Sequence, residues 1–156
     1  MKRICLLDLN YTLVGNQKET RLLRPFTRRM DAEEYRADLI DAIRDDYVII
    51  ITARPDYQMR QTMENIKRKT DWMPQEWYFN DLNADPPTIK ESILRRFIFP
   101  KHGDTPEQFY AVESNPKTRA MYSRHGITAQ PYDIFIKQAG GATAAPGPVC
   151  EQVSLF

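Results

Sequence analysis

The chain has 156 residues, 42% of them apolar, and a formal net charge of +1. That is the length of one domain with a real core, and the charge is too near zero for a bulk field to drive it onto nucleic acid or a membrane, so any such contact must be local. No apolar run approaches the roughly 20 residues of a membrane span, and the stretch after Met1-Lys2-Arg3 is too short for a signal peptide.

Residues 4–7, Ile-Cys-Leu-Leu, are a continuous apolar run that ends in Asp8 and is followed by Asn10 and Thr12. Such a run reads as a strand buried on both faces, as in a parallel sheet. An ionised Asp8 at its carboxyl end is costly unless balanced. Open α/β sheets place ligands there, so Asp8 reads either as a nucleophile or metal ligand or as the cap of the following turn. Residues 14–30 are polar and irregular, with Gly15, Pro25 and four arginines, Arg21, Arg24, Arg28 and Arg29. They form either a solvated loop or a small flap that offers guanidinium groups to phosphate. Asp31 and Glu34 make a capping box, and Tyr35, Leu39, Ile40 and Ile43 follow at helical spacing, predicting a helix over 32–44.

Residues 47–51 form a second strand rich in β-branched side chains, which stops at Thr52-Ala53-Arg54-Pro55. A hydroxyl and a guanidinium there, ahead of a helix that Pro55 can open, suit phosphate. The helix over 56–69 carries Met59, Met63 and Ile66 as a core stripe; 76–79 is a third strand and 80–87 a loop. The next helix opens at Thr88 and buries Ile89, Ile93, Leu94 and Phe97, with Lys90 in its first turn, where a positive charge opposes the helix dipole by about 0.3–1 kcal/mol. Residues 99–104 read as a turn with a solvated His102. A fourth strand over 109–112 runs into Glu113-Ser114-Asn115-Pro116, a helix covers 117–125 with Gly126 as its C-cap, and 127–129 is the fifth strand. Strands alternating with helices predict an α/β, Rossmann-like three-layer sandwich around a mainly parallel five-stranded sheet. Cys5 in the first strand and Cys150 near the end make no disulfide framework, so a reducing, cytoplasmic setting is expected. Residues 138–150 are rich in Gly, Ala and Pro and read as a tether, dividing the chain into a domain over 1–137 and a tail over 138–156.

Taken together, Asp8-x-Asn10-x-Thr12, Thr52 after the second strand, Lys90, and Glu113-Ser114-Asn115 resemble the four motifs of the haloacid dehalogenase (HAD) superfamily of phosphohydrolases, in order, over about residues 3–131. The Thr52-Ala53-Arg54-Pro55 stop, the helix start at Ile89-Lys90-Glu91-Ser92-Ile93, and Asn115-Pro116-Lys117-Thr118 are similar to the phosphatase half of phage-type polynucleotide kinase-phosphatases. The resemblance implies that Asp8 attacks phosphorus to form an aspartyl-phosphate, that Thr52 and Lys90 bind and neutralise the transferring group, and that Thr12 and Arg54 add phosphate contacts. It implies a Mg²⁺ held by Asp8, the backbone carbonyl of Asn10 and Glu113, with Ser114 and Asn115 completing the fourth motif. The family's phosphatases carry an acid/base Asp where this chain has Asn10, and an amide cannot transfer that proton, a loss that typically costs about 10² to 10⁴ in rate. Little room exists for a cap domain, which suits an open site for a DNA 3′-phosphate end or a nucleotide. The expected alternatives are thus a phosphatase and a catalytically weak adaptor that keeps the fold.

The last residues, Gln152-Val153-Ser154-Leu155-Phe156, resemble the bacterial sliding-clamp-binding motif, with Gln152 and Ser154 as polar contacts and Leu155 and Phe156 as apolar anchors. The bland reading of the same residues is a frayed terminus.

Overall fold

The computed structural model describes residues 3–143, with side chains through residue 140. Five strands, β1 (Ile4–Leu7), β2 (Tyr47–Pro55), β3 (Glu76–Asn80), β4 (Phe109–Val112) and β5 (Thr128–Gln130), form one sheet in the order β3-β2-β1-β4-β5. Every pairing is parallel. Side chains on β1 and β2 alternate between two cores, as the period of two requires. Cys5, Leu7, Val48 and Ile50 face one of them, with Leu39, Ile40 and Ile43 of α3 (Ala37–Ile43) and Met63 and Ile66 of α4 (Met59–Thr70). Ile4, Leu6, Ile49 and Ile51 face the other, with Ile89 and Ile93 of α5 (Pro86–Ile93) and Met121 and Tyr122 of α7 (Pro116–Arg124). The result is the expected three-layer sandwich. No helix among the described residues is long and apolar enough to cross a membrane.

The segment over 14–30 is more ordered than its composition predicts, holding α1 (Gln17–Thr20) and the start of α2 (Phe26–Ala32). The capping box at Asp31 does not form. Asp31 lies in the last turn of α2, where it accepts hydrogen bonds from Gln61 (2.9 Å) and Asn65 (3.1 Å) of α4. Glu33 is extended, and Tyr35 forms an isolated antiparallel bridge with Val14, so α3 starts only at Ala37.

Strand β2 runs through the expected stop as far as Pro55, with a register shift against β3 after Ile51. The expected turn at 99–104 is partly helical. Helix α5 passes through a wide turn at Leu94–Ile98 into α6 (Phe99–His102). Pro100 has no N–H for the preceding turn, and the wide turn, with Phe99 N–H donating to Leu94 O, carries the chain past it. His102 is not solvated, because its Nε2 lies 2.7 Å from Glu76. The final helix, α8 (Tyr132–Thr143), continues beyond residue 137 into the expected tether. Gln152, Ser154, Leu155 and Phe156 lie outside the described residues.

Candidate active site

In register, Leu7 of β1 pairs with Val112 of β4, so the residues that follow each strand, Asp8 and Glu113, emerge side by side at the carboxyl edge of the sheet. The ladder holds both: Asp8 N–H donates to Val112 O (3.0 Å) and Glu113 N–H to Gln130 O (2.9 Å). Lys90, on the α5 face that packs against β1 and β2, reaches the same edge. Its Nζ lies 2.8 Å from Asp8 Oδ1 and 2.6 Å from Glu113 Oε1, and all three side chains are nearly excluded from solvent. Helix α5 starts at Pro86, two residues before the expected Thr88, so Lys90 lies past its first turn rather than against the helix dipole, and its burial is explained by the two carboxylates it serves.

The other Asp8 oxygen, Oδ2, accepts from Thr12 Oγ1 (2.8 Å) and Ser114 Oγ (2.9 Å). Burial alone would raise the Asp8 carboxyl; the Lys90 ammonium, with the Thr12 and Ser114 hydroxyls, outweighs it and holds the group below the usual carboxylate range. Burial would likewise lower Lys90, and Asp8 and Glu113 keep it charged. Glu113 goes the other way. Burial pushes it up to about 7, against the pull of Lys90, because the Asp8 charge adds to the penalty.

The backbone after Asp8 makes a single wide turn, in which Val14 N–H donates to Leu9 O (3.0 Å). Within it Asn10 is extended and Tyr11 left-handed at φ 60°, a conformation uncommon for a bulky side chain and concentrated at functional sites. This turn brings the Asn10 carbonyl to 3.2 Å from Ser114 Oγ, which also contacts Asp8. Asp8 Oδ2, the Asn10 carbonyl and Ser114 Oγ thus converge, and Glu113 is joined to Asp8 through Lys90. An all-oxygen set with two carboxylates against one ammonium fits a hard divalent cation.

Thr52 lies at the same sheet edge, two residues beyond Ile50, the partner of Leu7. It is buried, and its hydroxyl accepts from Arg54 N–H (3.1 Å). Arg54 turns inward instead of towards a ligand. Its guanidinium donates to Asn10 Oδ1 through Nε (3.1 Å) and one terminal nitrogen (3.0 Å), to Thr62 Oγ1 (3.0 Å), and to Glu33. Asn115 caps α7, its Oδ1 accepting from Lys117 N–H (2.9 Å), while its own N–H donates to Glu113 Oε2 (3.0 Å). Arg24 folds back on the carbonyls of Arg21 and Leu23, whereas Arg21 and Arg28 remain exposed.

Three contributors escaped the sequence reading. Glu33 is fully buried against Arg54, Thr62 supports the same guanidinium, and Arg119 donates to the carbonyls of Glu113 (3.0 Å) and Ser114 (2.8 Å), fixing that loop. A signal existed only for Arg54, a long cation beside an apolar strand that needed a buried acid.

No family model matches the chain, and no curated protein matches it in sequence. Its fold is similar to that of a chain in the structure of the Pnkp1/Rnl/Hen1 RNA repair complex, with a TM-score of 0.59 and 12% identity over 83% of this chain. The shared property is the fold. The protein spans 42% of that chain's length.

Proposed function

We propose that the protein is a Mg²⁺-dependent phosphatase of HAD type that acts through an aspartyl-phosphate on Asp8, with a DNA 3′-phosphate end or a nucleotide as substrate. One observation carries this reading: a buried ammonium, Lys90, is shared between two carboxylates at the carboxyl ends of adjacent parallel strands. That arrangement keeps Asp8 ionised, as a nucleophile must be, and supplies the positive charge that phosphoryl transfer needs. Thr12 and Ser114 hold one Asp8 oxygen in place, and Thr52 offers a hydroxyl at the same edge. Asp8, the Asn10 carbonyl, Glu113 and the Ser114 hydroxyl would hold the Mg²⁺, which when bound supplies charge neutralisation at the phosphoryl oxygens. The fold shared with a chain of an RNA repair complex supports a role at nucleic-acid ends, and recruitment to a sliding clamp through Gln152, Ser154, Leu155 and Phe156 belongs to the same proposal.

A second reading, an adaptor that binds phosphate without efficient turnover, is favoured by Asn10, whose amide oxygen is tied to Arg54 and which has no proton to give. The deciding assay is phosphate release with Mg²⁺ from a 3′-phosphorylated oligonucleotide and from deoxynucleotides. Release that falls by at least about 10³-fold in Asp8→Asn supports the enzyme. Release that is absent from oligonucleotide, deoxynucleoside monophosphate and deoxynucleoside diphosphate alike, or unchanged in Asp8→Asn, leaves the adaptor.

A further inference from the structure

A guanidinium has only donors, so the two bonds from Arg54 fix which end of the Asn10 carboxamide faces it. Oδ1 is turned inward and Nδ2 outward, where it meets no acceptor among the described residues and is not enclosed. Arg54 cannot swing away easily, since Glu33, fully buried, and Thr62 hold its far side. The position two residues after the nucleophile is thus a locked N–H donor.

The remaining neighbours offer no proton either. Among the described residues, the side chains that hydrogen-bond to the side chain of Asp8 or Asn10 are Thr12, Lys90, Ser114 and Arg54; none is a carboxyl or an imidazole, and the Lys90 ammonium is held in its charged form between Asp8 and Glu113. Both oxygens of Glu113 already accept, from Lys90 and from Asn115 N–H, and the side chain is 2% exposed. The two histidines are paired elsewhere, His102 with Glu76 and His125 with Glu91.

We infer that Asn10, positioned by Arg54 and Glu33, serves as a fixed hydrogen-bond donor to phosphoryl oxygen, and that the site takes phosphoryl donors whose leaving group departs without a proton. Of the two proposed substrates this selects the nucleotide over the DNA 3′-phosphate end, and among nucleotides the phosphoanhydrides of nucleoside di- and triphosphates over phosphate esters of sugar hydroxyls. The inference rests on Asp8 acting as nucleophile. In the transfer step an Asp8 oxygen bonds to phosphorus, the bond from phosphorus to the leaving oxygen breaks, and its electron pair leaves with a phosphate or phenoxide anion. Water then attacks phosphorus, expels the Asp8 carboxylate and loses its proton to solvent. A sugar alkoxide, by contrast, needs a proton as it departs, and no carboxyl or imidazole among the described residues is placed to supply one.

The test pairs kinetics with binding. Phosphate release with Mg²⁺ is measured on a series of aryl phosphates of decreasing phenol acidity, and on a deoxynucleoside diphosphate against the corresponding monophosphate. Binding of inorganic phosphate is measured by calorimetry for the wild type, Asn10→Asp, Arg54→Lys and Arg54→Gln. The expected result is a steep dependence of kcat/KM on leaving-group acidity, diphosphate favoured by about 10²-fold or more, and a shallower dependence in Asn10→Asp. Phosphate binding should weaken about tenfold in Asn10→Asp, where a carboxylate replaces the donor, and in Arg54→Gln, with partial retention in Arg54→Lys. A shallow dependence in the wild type, or a slope that Asn10→Asp leaves unchanged, overturns the substrate half of the inference. Equal phosphate affinity in wild type and Asn10→Asp overturns the donor half. No Asp8-dependent release from even the most activated ester overturns the phosphatase reading and the substrate half together, and the binding comparison still decides the role of Asn10.

Discussion

The two edges of the sheet both carry buried carboxylates, and they treat them differently. At the amino edge Glu76 collects donors on both oxygens: Tyr47 (2.5 Å), His102 (2.7 Å) and Lys101 (3.2 Å) on one, Tyr78 (2.7 Å) on the other. Burial would raise its pKa, but those bonds outweigh it and bring the group down to about 2. At the carboxyl edge Asp8 and Glu113 divide a single ammonium, and Glu113 is pushed up to about 7. A carboxylate that serves the fold is given every partner it can use. The pair at the other edge shares one cation and draws its remaining bonds from hydroxyls and backbone N–H groups.

Removing the shared cation should break the carboxyl edge outright. Lys90→Met leaves two buried carboxylates facing each other, and is expected to cost about 3–5 kcal/mol in urea unfolding and to abolish phosphate release. Arg54→Met strands Glu33 in the same way, with a similar loss; the double variant Arg54→Met/Glu33→Leu should recover much of it, a coupling that a double-mutant cycle reads directly.

Glu113 sharpens the contrast through pH. Its folded pKa is raised, so its contribution to stability is complete below the ordinary carboxylate value and is lost as pH rises through about 7. Mg²⁺ competes with that proton, so the rise in Tm on adding Mg²⁺ should be small near pH 5.5, larger at pH 8, and absent in Glu113→Gln. Glu76 has the opposite sign. Its folded pKa is depressed, so its stabilisation is present above the ordinary carboxylate value and lost as pH falls towards about 2. Glu76→Gln is expected to cost about 1–3 kcal/mol at pH 7, to leave phosphate release unchanged, and to converge with the wild type near pH 2. The smallest effect belongs to Asn115→Ala, about 1 kcal/mol through the lost cap of α7.

Much of the fold was legible because a parallel sheet writes itself as short apolar runs. The strands at 4–7, 47–51, 76–79 and 109–112 were placed to within a few residues for that reason. The meeting of Asp8 with a cation was legible in part, since an acid at the end of a buried strand needs a balancing charge, and Lys90 supplies it. What remained hidden has no period. Glu33 reads as one more polar residue at a helix start, and its burial follows from Arg54, 21 positions away. The same holds for His102, whose partner Glu76 belongs to a strand 26 positions earlier. The capping box failed because that buried pair and the Val14–Tyr35 bridge hold 33–36 extended, and neither is a local property.

The central place of β1 has a kinetic consequence. Asp8 meets Lys90 across 82 positions and Ser114 across 106, so Asp8 has no balancing charge until α5 docks and is fully bonded only once the 113–115 loop is in place. Closing such distant pairs slows folding; an intermediate in which α5 has not docked holds a buried acid with nothing to offset it, and one lacking β4 leaves Lys90 without its second carboxylate. Recovery of phosphate binding during refolding therefore should lag behind helix formation and report the completed topology.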